Sequence, residues 1–327
     1  MMLKRVGIIG LGEYLPERVL TNADLEKMVE TSDEWITTRT GIKERRLRDK
    51  GEAASDLAIR AASSALEDAH LEPRDIDLVI VATITADMPF PSVSSILQGA
   101  LQIPRAACFD ISAACAGFVY AITTAQQFIA GGDYKNALVV GAETLSAVTD
   151  WQDRDTCVLF GDGAGAAVVS EVRSGGILSA CLGADGSKGS LLMIPAGGSR
   201  QPASHQTVDQ RGHFIKMQGN KLFKLAVTLM TGAAQDALKK AGLECKDIDL
   251  VIPHQANMRI IMAMAKKLNL PQEKIYLNIE KYGNMSSAST ATALCEAVKE
   301  SRVKKGDIVL LDAFGAGLVW GACVIEW

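Results

Sequence analysis

An internal duplication constrains this sequence more than any other feature. Residues 65–80 read ALEDAHLEPRDIDLVI and residues 237–252 read ALKKAGLECKDIDLVI, an offset of 172 with 11 of the 16 positions identical. Each copy has the pattern of an amphipathic helix end, a short turn and an apolar strand that is buried on both faces. A match of this quality inside one chain indicates two similar halves that arose by duplication.

The segments that follow the two copies also run in parallel. Each copy is followed by an apolar strand, a turn of small residues and a helix, and each half ends in a buried strand with a glycine-rich piece. Strands that alternate with helices predict layered α/β packing with right-handed crossovers. The pattern breaks near residues 172–176, so we predict an N-terminal half over 1–173 and a C-terminal half over 174–327.

The composition excludes several classes of protein. The 327 residues carry a formal net charge of −4, which gives no general basic surface for nucleic acid. Seven cysteines without a C-x-x-C pair, and only four histidines, argue against a disulfide scaffold or a structural zinc site. Free thiols favour a reducing compartment, so we predict a cytoplasmic protein without a metal ion.

Two apolar stretches could suggest a membrane or export signal. Residues 6–12 are too short for the apolar core of a signal peptide, and they are typical of a first strand. Residues 111–132 carry no charge and are long enough to cross a membrane. Their Ser, Thr and Gln side chains and many Ala and Gly residues favour a helix buried inside a protein instead. We therefore predict no membrane association.

Cys115 is a candidate nucleophile. It lies between a predicted strand and a predicted helix in the segment DISAACAGF, whose small residues allow close approach of backbone and substrate. The positive end of a helix dipole lowers the pKa of a thiol and favours the thiolate. A buried structural cysteine is the alternative interpretation.

Two further polar residues occupy positions related to Cys115. His254 directly follows the duplicated strand of the second half, at the carboxyl end where ligands bind in α/β sheets. Asn284 lies in the small-residue turn that corresponds to the Cys115 turn, although a turn asparagine needs no further role. A thiolate that faces a histidine and an amide donor suits acyl-thioester chemistry.

Several spaced motifs resemble the ketoacyl synthase III family of the thiolase superfamily, the initiating condensing enzymes of bacterial fatty acid synthesis. These are TSDEWI (31–36), RTGI (39–42), the Cys115 turn, HQAN (254–257), GNMSSAS (283–289) and FGAG (314–317). The resemblance covers essentially the whole chain. It implies a duplicated thiolase-like α/β fold, in which two βαβ-containing halves form α/β/α/β/α layers.

The resemblance implies a decarboxylative Claisen condensation. An acyl-CoA primer, usually acetyl-CoA, acylates Cys115, and the carbanion formed when malonyl-acyl-carrier protein loses CO2 attacks this thioester. His254 and Asn284 stabilise the enolate, and the backbone N–H groups of Cys115 and Ala316 form the oxyanion hole. The family often has glycine where this chain has Ala316, and alanine restricts φ there. The CoA thioester is a substrate, so no cofactor is expected.

The resemblance also implies a CoA site. Thr31 and Glu34 predict a capping box, and the helix that follows places Trp35 and Arg39 on one face. An indole beside a guanidinium can stack an adenine and meet a phosphate, although a structural cation–π pair is the alternative. The resemblance assigns the following residues to CoA: Trp35, Arg39, Arg154, Asn220, Phe223, Ala256 and Asn257.

The resemblance also implies two more sites and a homodimer. The docking site for the acidic carrier protein comprises Lys224, Arg259, Lys266 and Lys267. The acyl pocket is bounded by Leu145, Phe160, Leu192, Ile215 and Met217, and by Phe90, which reaches across a homodimer interface into the partner's pocket. The primer's chain length and branching stay open.

The sequence disfavours several rival interpretations. A papain-like hydrolase also uses Cys, His and Asn, but its local C-G-[SA]-C-[WY] pattern is absent. The glycines of residues 7–12 and 161–165 lack the spacing of a dinucleotide-binding loop. A non-catalytic subunit of this fold is expected to lack the nucleophile, and a biosynthetic thiolase needs a second cysteine in the C-terminal turn. Related condensing enzymes of secondary metabolism stay as the alternative.

Overall fold

The computed structural model describes residues 4–327, so residues 1–3 of the predicted N-terminal half lie outside the described residues. The strands in chain order are β1 (Val6–Tyr14), β2 (Arg18–Thr21), β3 (Glu44–Leu47), β4 (Leu78–Ala82), β5 (Ala107–Ile111), β6 (Asn136–Thr144), β7 (Asp162–Glu171), β8 (Gly176–Ala184), β9 (Leu192–Met193), β10 (Lys216–Met217), β11 (Leu250–Pro253), β12 (Ile308–Gly315) and β13 (Val319–Glu326). The helices are α1 (Asn22–Leu25), α2 (Asp33–Thr40), α3 (Ala54–Asp68), α4 (Val93–Ala100), α5 (Gly117–Ala130), α6 (Arg154–Cys157), α7 (His205–Asp209), α8 (Gly219–Ala241), α9 (Met258–Lys267), α10 (Ile279–Tyr282) and α11 (Ser287–Lys299).

Each half of the chain builds one large sheet and one two-stranded ribbon, and the two large sheets have matching topology. In the described part of the chain the first sheet has the order β1-β7-β6-β4-β5 and the second has the order β8-β13-β12-β11. Strands β4 and β6 are parallel, as are β11 and β12, while β7 and β13 run antiparallel to their neighbours. The predicted boundary at 173/174 falls between β7 and β8 and stays a prediction.

The offset of 172 seen in the sequence also holds in the strand register. Leu78 pairs with Ala137 in the first half, and Leu250 pairs with Val309 in the second. The turns before the two central helices match as well, since the N–H of Ala116 bonds to the carbonyl of Ala113 and that of Ala288 to the carbonyl of Met285. Sequence and geometry therefore describe the same pseudo-twofold relation.

Helices separate and cover the two sheets. Helices α5 and α11 lie between the sheets and pack on strands of both halves, where they form a continuous apolar core. Helix α3 covers the outer face of the first sheet, and α8 with α9 covers the outer face of the second. These five layers confirm the predicted α/β/α/β/α packing.

The uncharged stretch 111–132 forms the end of β5, a 3₁₀ turn over Ala114–Ala116 and the buried helix α5. Thr123 and Thr124 donate hydrogen bonds to carbonyl groups four residues back at 2.8 Å, and the Gln126 amide donates to the Ile177 carbonyl at 3.0 Å. The polar side chains of this central helix are thereby satisfied inside the protein. Among residues 4–327, no helix combines the length and apolarity needed to cross a bilayer.

Close backbone packing joins β1 to α3. A Cβ atom placed on Gly12 would lie 2.2 Å from the carbonyl oxygen of Ala61 and 2.3 Å from the backbone nitrogen of Ala65. The side chains on this face of α3 are mostly alanine, and many of them are fully buried. Small residues on both elements therefore set the distance between the outer helix layer and the first sheet.

We predict that Gly12→Ala destabilises the protein by about 1–3 kcal/mol, because the added methyl group forces β1 away from α3. Urea denaturation followed by circular dichroism measures the change. Gly232→Ala in α8 is the matched control, since no described atom lies within 4 Å of its added Cβ, and it should stabilise by up to about 1 kcal/mol through helix propensity. Equal effects of the two substitutions would contradict this account of the packing.

Candidate active site

Cys115 lies where β5 turns into the central helix α5. It occupies the middle of the 3₁₀ turn that directly precedes this helix, after Ala114 in a left-handed conformation with φ 42°. A Cβ on Gly315 would lie 2.6 Å from the backbone nitrogen of Cys115 and 3.1 Å from its Cβ. The end of β12 therefore packs directly against the cysteine, and only glycine fits there.

Burial controls the protonation of Cys115. The residue is only 9% exposed. Loss of hydration raises the pKa of its thiol to about 12, and the Ser286 hydroxyl opposes this shift. The direction is opposite to the lowered pKa expected from the helix dipole, because burial disfavours the charged thiolate. The resting group is the neutral thiol.

His254 follows β11 and is almost fully buried. Its backbone N–H bonds to the carbonyl of Asp312 on the neighbouring strand at 2.7 Å, while neither ring nitrogen has a partner within residues 4–327. Desolvation lowers the pKa of His254 to about 3. The imidazole is therefore neutral, and one ring nitrogen can donate a hydrogen bond.

Asn284 lies in a turn held by backbone contacts to the first half. Its N–H donates to the Leu159 carbonyl at 2.8 Å, and its carbonyl accepts from the N–H of Gly161 at 3.0 Å. The side-chain Oδ1 accepts from the N–H of Ser286 at 2.8 Å. Because Oδ1 already accepts this hydrogen bond, the Nδ2 amide nitrogen is left to donate to a ligand.

A cavity of about 230 Å³ opens beside Cys115. Its wall is almost entirely apolar and is formed by Ile84, Ala114, Cys115, Leu145, Phe160, Leu192, Met193, Ile194, Ile215, Ser286 and Ala316. Of the predicted acyl-pocket residues, the structure brings together Leu145, Phe160, Leu192 and Ile215. Phe160 also forms a bridge with Asn284, which places the asparagine turn at the cavity.

Two predicted acyl-pocket residues do not line this cavity. Phe90 is 84% exposed in the loop after β4. Met217 pairs with Leu192 across the β9–β10 ribbon and packs in the apolar cluster behind the wall. Ile84, Met193, Ile194 and Ser286 line the cavity but were missed from sequence. Only Ser286 carried a signal, since it belongs to the GNMSSAS motif.

The glycine-rich turn after β12 reaches the cavity through Ala316. This residue is not among those with positive φ in the described chain. An alanine is therefore tolerated at this position without backbone strain, and its N–H is retained.

Two guanidinium groups lie close to the Trp35 ring. The Arg154 guanidinium is 4.5 Å and the Arg39 guanidinium 5.0 Å from the centre of the ring. The Asn257 amide donates to the carbonyl of Arg39 at 3.0 Å, which ties the start of α9 to the end of α2. Predicted CoA residues from three separate segments are thus brought together.

The cap of helix α2 differs from the prediction. Ser32 is the capping residue, and its hydroxyl accepts from the N–H of Trp35 at 3.1 Å. The predicted Thr31–Glu34 capping box is wrong by one residue, because Asp33 rather than Ser32 begins the helix. Gly41 ends the helix with φ 83°, as predicted.

The predicted carrier-docking residues lie on two adjacent exposed helices. Helices α8 and α9 pack together, and the Arg259 guanidinium lies 5.6 Å from the centre of the Phe223 ring. Lys267 Nζ lies 3.5 Å from the Thr228 hydroxyl. Asn220 and Lys224 lie at the start of α8. Ala256 precedes α9, and Lys266 is exposed near the end of α9.

Within residues 4–327 no group of three or more His, Cys, Asp or Glu side chains could hold a metal ion.

The fold and the site together define an enzyme of the thiolase superfamily, with a buried thiol, imidazole and amide at the strand ends of two duplicated halves. The chain matches the family described as 3-oxoacyl-[acyl-carrier-protein (ACP)] synthase III over residues 109–186, and its C-terminal part over residues 238–327.

Comparisons over the full length agree. A beta-ketoacyl-[acyl-carrier-protein] synthase III of Caldanaerobacter subterraneus subsp. tengcongensis is 59% identical over 98% of this chain and 97% of its own. The enzyme of the same name from Clostridioides difficile is 54% identical over 100% of this chain and 99% of its own. The crystal structure of the 3-oxoacyl-[acyl-carrier-protein] synthase III of Aquifex aeolicus superposes with a TM-score of 0.91 at 50% identity, over 98% of this chain and 100% of that one. The chain belongs to the 3-oxoacyl-[acyl-carrier-protein] synthase III family.

The buried His254 predicts a pH dependence of stability. The unfolded chain protonates this histidine below its ordinary pKa of about 6.5, whereas the folded chain does so only near a pKa of about 3. Between these values the unfolded state binds more protons, so stability falls as pH falls, by up to about 1.4 kcal/mol per pH unit. His254→Gln should therefore lose less stability than the wild type between about pH 6 and about pH 4.

Urea denaturation across this pH range measures the difference. His205→Gln on α7, at an exposed position, is the control and should follow the wild-type curve. Parallel curves for His254→Gln and wild type would show that burial does not hold His254 neutral.

Proposed function

We propose that Cys115, His254 and Asn284 carry out the decarboxylative condensation of an acyl-CoA primer with malonyl-acyl-carrier protein, which initiates fatty acid synthesis. The observation that carries this assignment is the Cys115 thiol at the start of α5, facing an apolar cavity of about 230 Å³. An apolar cavity of this size fits a short acyl chain and excludes water from the thioester.

Acylation is the first step. The Cys115 sulfur attacks the thioester carbonyl, a new carbon–sulfur bond forms, and CoA leaves with the proton that the thiol gives up. The negative charge that develops on the carbonyl oxygen is stabilised by the backbone N–H groups of Cys115 and Ala316. The close approach of Gly315 to the Cys115 nitrogen supports this pairing, because it brings the two backbone segments together.

Condensation is the second step. The malonyl carboxylate leaves as CO2, and the electron pair of the broken bond forms an enolate, which attacks the acyl thioester on Cys115. The enolate oxygen accepts hydrogen bonds from a ring nitrogen of the neutral His254 and from the Asn284 Nδ2 amide nitrogen. Collapse of the adduct releases the 3-oxoacyl product and a Cys115 thiolate, which takes up a proton. The low pKa of His254, caused by burial, supports a role as a neutral donor.

The CoA and carrier-protein sites flank the entrance. The adenine is held by Trp35 with Arg154 opposite, and Arg39 beside Trp35 meets a phosphate. The pantetheine arm passes along Asn220, Phe223, Ala256 and Asn257. Four exposed cations, Lys224, Arg259, Lys266 and Lys267, meet the acidic carrier protein. Contacts between exposed charges make this docking sensitive to salt.

A homodimer completes the acyl pocket in this proposal. Strand β5 lies at the edge of the first sheet and is half-buried along its length. Unpaired edges and exposed aromatic side chains favour pairing with a second copy, and Phe90 and Phe128 are both exposed.

The seven cysteines are free thiols, which supports a reducing, cytoplasmic setting.

Intact-mass measurement after mixing with acetyl-CoA tests the first step. We expect one acetyl adduct in the wild type and none in Cys115→Ala, because only this thiol opens on the cavity. Cys157→Ala is the control, since Cys157 is a buried thiol in α6 outside the cavity wall, and it should keep the adduct. If no acyl-CoA acylates the wild type, the primer is not a CoA thioester and the proposal fails.

Substitution of the stacking residues tests the CoA site. Trp35→Ala and Arg154→Ala should each raise KM for acyl-CoA by about tenfold, the effect expected for a lost cation–π or stacking contact. The acylation rate at saturating primer should stay close to that of the wild type. Arg60→Ala removes a similar contact on Tyr14, at 4.5 Å, and should leave KM unchanged. Equal KM values in all variants would place the adenine elsewhere.

A further inference from the structure

A buried carboxyl group joins the two halves next to the proposed nucleophile. Glu143 lies near the end of β6 and is completely buried. Its Oε2 accepts from the Thr85 hydroxyl at 2.7 Å and from the N–H of Ile84 at 3.2 Å. Its Oε1 lies 3.0 Å from the hydroxyl of Ser287, the first residue of α11. Glu143 thus links the segment after β4 to the central helix of the other half.

The single hydrogen of the Ser287 hydroxyl faces two acceptors, which favours a proton on this carboxyl group. A serine hydroxyl has one hydrogen, and the Ser287 oxygen lies 2.8 Å from the Ala82 carbonyl, which can only accept. With that hydrogen given to Ala82, the contact between Ser287 and Oε1 is a hydrogen bond only if Oε1 carries a proton. Glu143 then donates at Oε1 and accepts at Oε2.

The surroundings of Glu143 agree with an uncharged acid. None of the ion pairs formed within residues 4–327 includes it. Burial raises the pKa of Glu143, while the hydroxyl and N–H donors around it only partly oppose that shift. A buried carboxylate without a cation is costly, and protonation removes this cost.

The duplication shows what this link replaces. At the offset of 172, Ser287 corresponds to Cys115, Ala82 to His254 and Glu143 to Gly315. Gly315, in the second half, has no side chain and so allows the backbone and Cβ of Cys115 to approach closely. In the related position Glu143 contacts Ser287 through its carboxyl group. The residues of the second helix start, which correspond to Cys115 and its surroundings, therefore form a hydrogen-bonded contact between the two halves. This contact is called the fixed contact below.

The fixed contact lies next to proposed active-site residues. Ser286 precedes Ser287, has a left-handed φ of 47° and lines the cavity with Cys115. Its N–H holds the Asn284 side chain through Oδ1 at 2.8 Å. Any shift of Ser287 moves Ser286, and with it the Asn284 amide.

We propose that Glu143, as an uncharged carboxylic acid, is a positioning residue for the condensation step. It holds Ser287 against β4 and thereby fixes the orientation of the Asn284 amide beside the Cys115 thioester. This inference rests on the proposed role of Asn284, and it assigns to Glu143 no contact with substrate.

Two variants separate hydrogen bonding from charge. In Glu143→Gln the amide nitrogen can donate to Ser287 while the oxygen accepts from Thr85 and Ile84, so acylation and condensation should both stay close to wild type. In Glu143→Ala the link is lost, and condensation should fall by roughly 10²-fold, as expected for a displaced catalytic group. Acylation of Cys115 should fall much less, because in the proposed function Asn284 takes part only in condensation.

The two steps are measured separately, acylation by intact mass with acetyl-CoA and condensation by CO2 release from malonyl-acyl-carrier protein with preacylated enzyme. Glu13→Ala is the matched control, since Glu13 pairs with Lys299 at the other end of α11 at 2.8 Å. It should lower stability without changing the ratio of the two rates. Ser287→Ala should shift this ratio in the same direction as Glu143→Ala, and it serves if Glu143→Ala does not fold.

Three results would overturn the inference. A loss of condensation in Glu143→Gln as large as in Glu143→Ala would show that the proton or charge of Glu143 is required. An unchanged ratio of rates in both Glu143→Ala and Ser287→Ala would show that the link positions nothing. Asn284→Ala tests the proposed function independently: it should lose condensation and keep acylation, and wild-type condensation there would overturn both the role of Asn284 and the inference built on it.

Discussion

The architecture depends on direct backbone contact between the strand ends of each half and the central helix of the other. A Cβ on Gly315 of β12 would lie 2.6 Å from the nitrogen of Cys115, and one on Gly141 of β6 would lie 2.7 Å from the carbonyl oxygen of Ser287. Each central helix therefore begins against a strand from the opposite sheet. Since side chains cannot separate these segments, the two halves share one core and meet at the candidate site.

Burial at this junction disfavours the charged forms of the site's side chains. It raises the pKa of Cys115 to about 12 and lowers that of His254 to about 3. It also raises the pKa of two buried acids, Glu143 on β6 and Asp312 on β12. Charge then appears only on reacting atoms, where N–H donors fixed by the fold can stabilise it without moving.

The sequence predicted the layered fold because the duplication repeats a helix, a turn and a strand with one offset. His70, with φ 53°, and Gly242, with φ 74°, end the two helices at matching positions although their side chains differ. The capping-box pattern did not predict the first residue of α2 correctly, since its N-cap is Ser32 rather than Thr31. The pattern of side chains fixes the element, but the competition between neighbouring capping groups fixes its first residue.

The features that the sequence did not predict share one cause: they depend on contacts between residues that lie far apart in the chain. Met193 and Ile194 reach the cavity through the β9–β10 ribbon, whose position depends on contacts that no periodicity reveals. The protonation of Cys115 was misjudged because the helix dipole is local and readable, whereas desolvation depends on everything packed around the thiol.

Only one of the two equivalent helix starts carries the proposed nucleophile. A duplication first supplies two equivalent helix starts, but a nucleophile needs an open cavity beside it. Such a cavity, lined by Ala316, opens beside Cys115, whereas Glu143, at the position related to Gly315, contacts Ser287 through its carboxyl group. In the proposed role, the contact between Glu143 and Ser287 also holds the turn of Asn284 in place. The helix start without a nucleophile thus supports the one that carries Cys115.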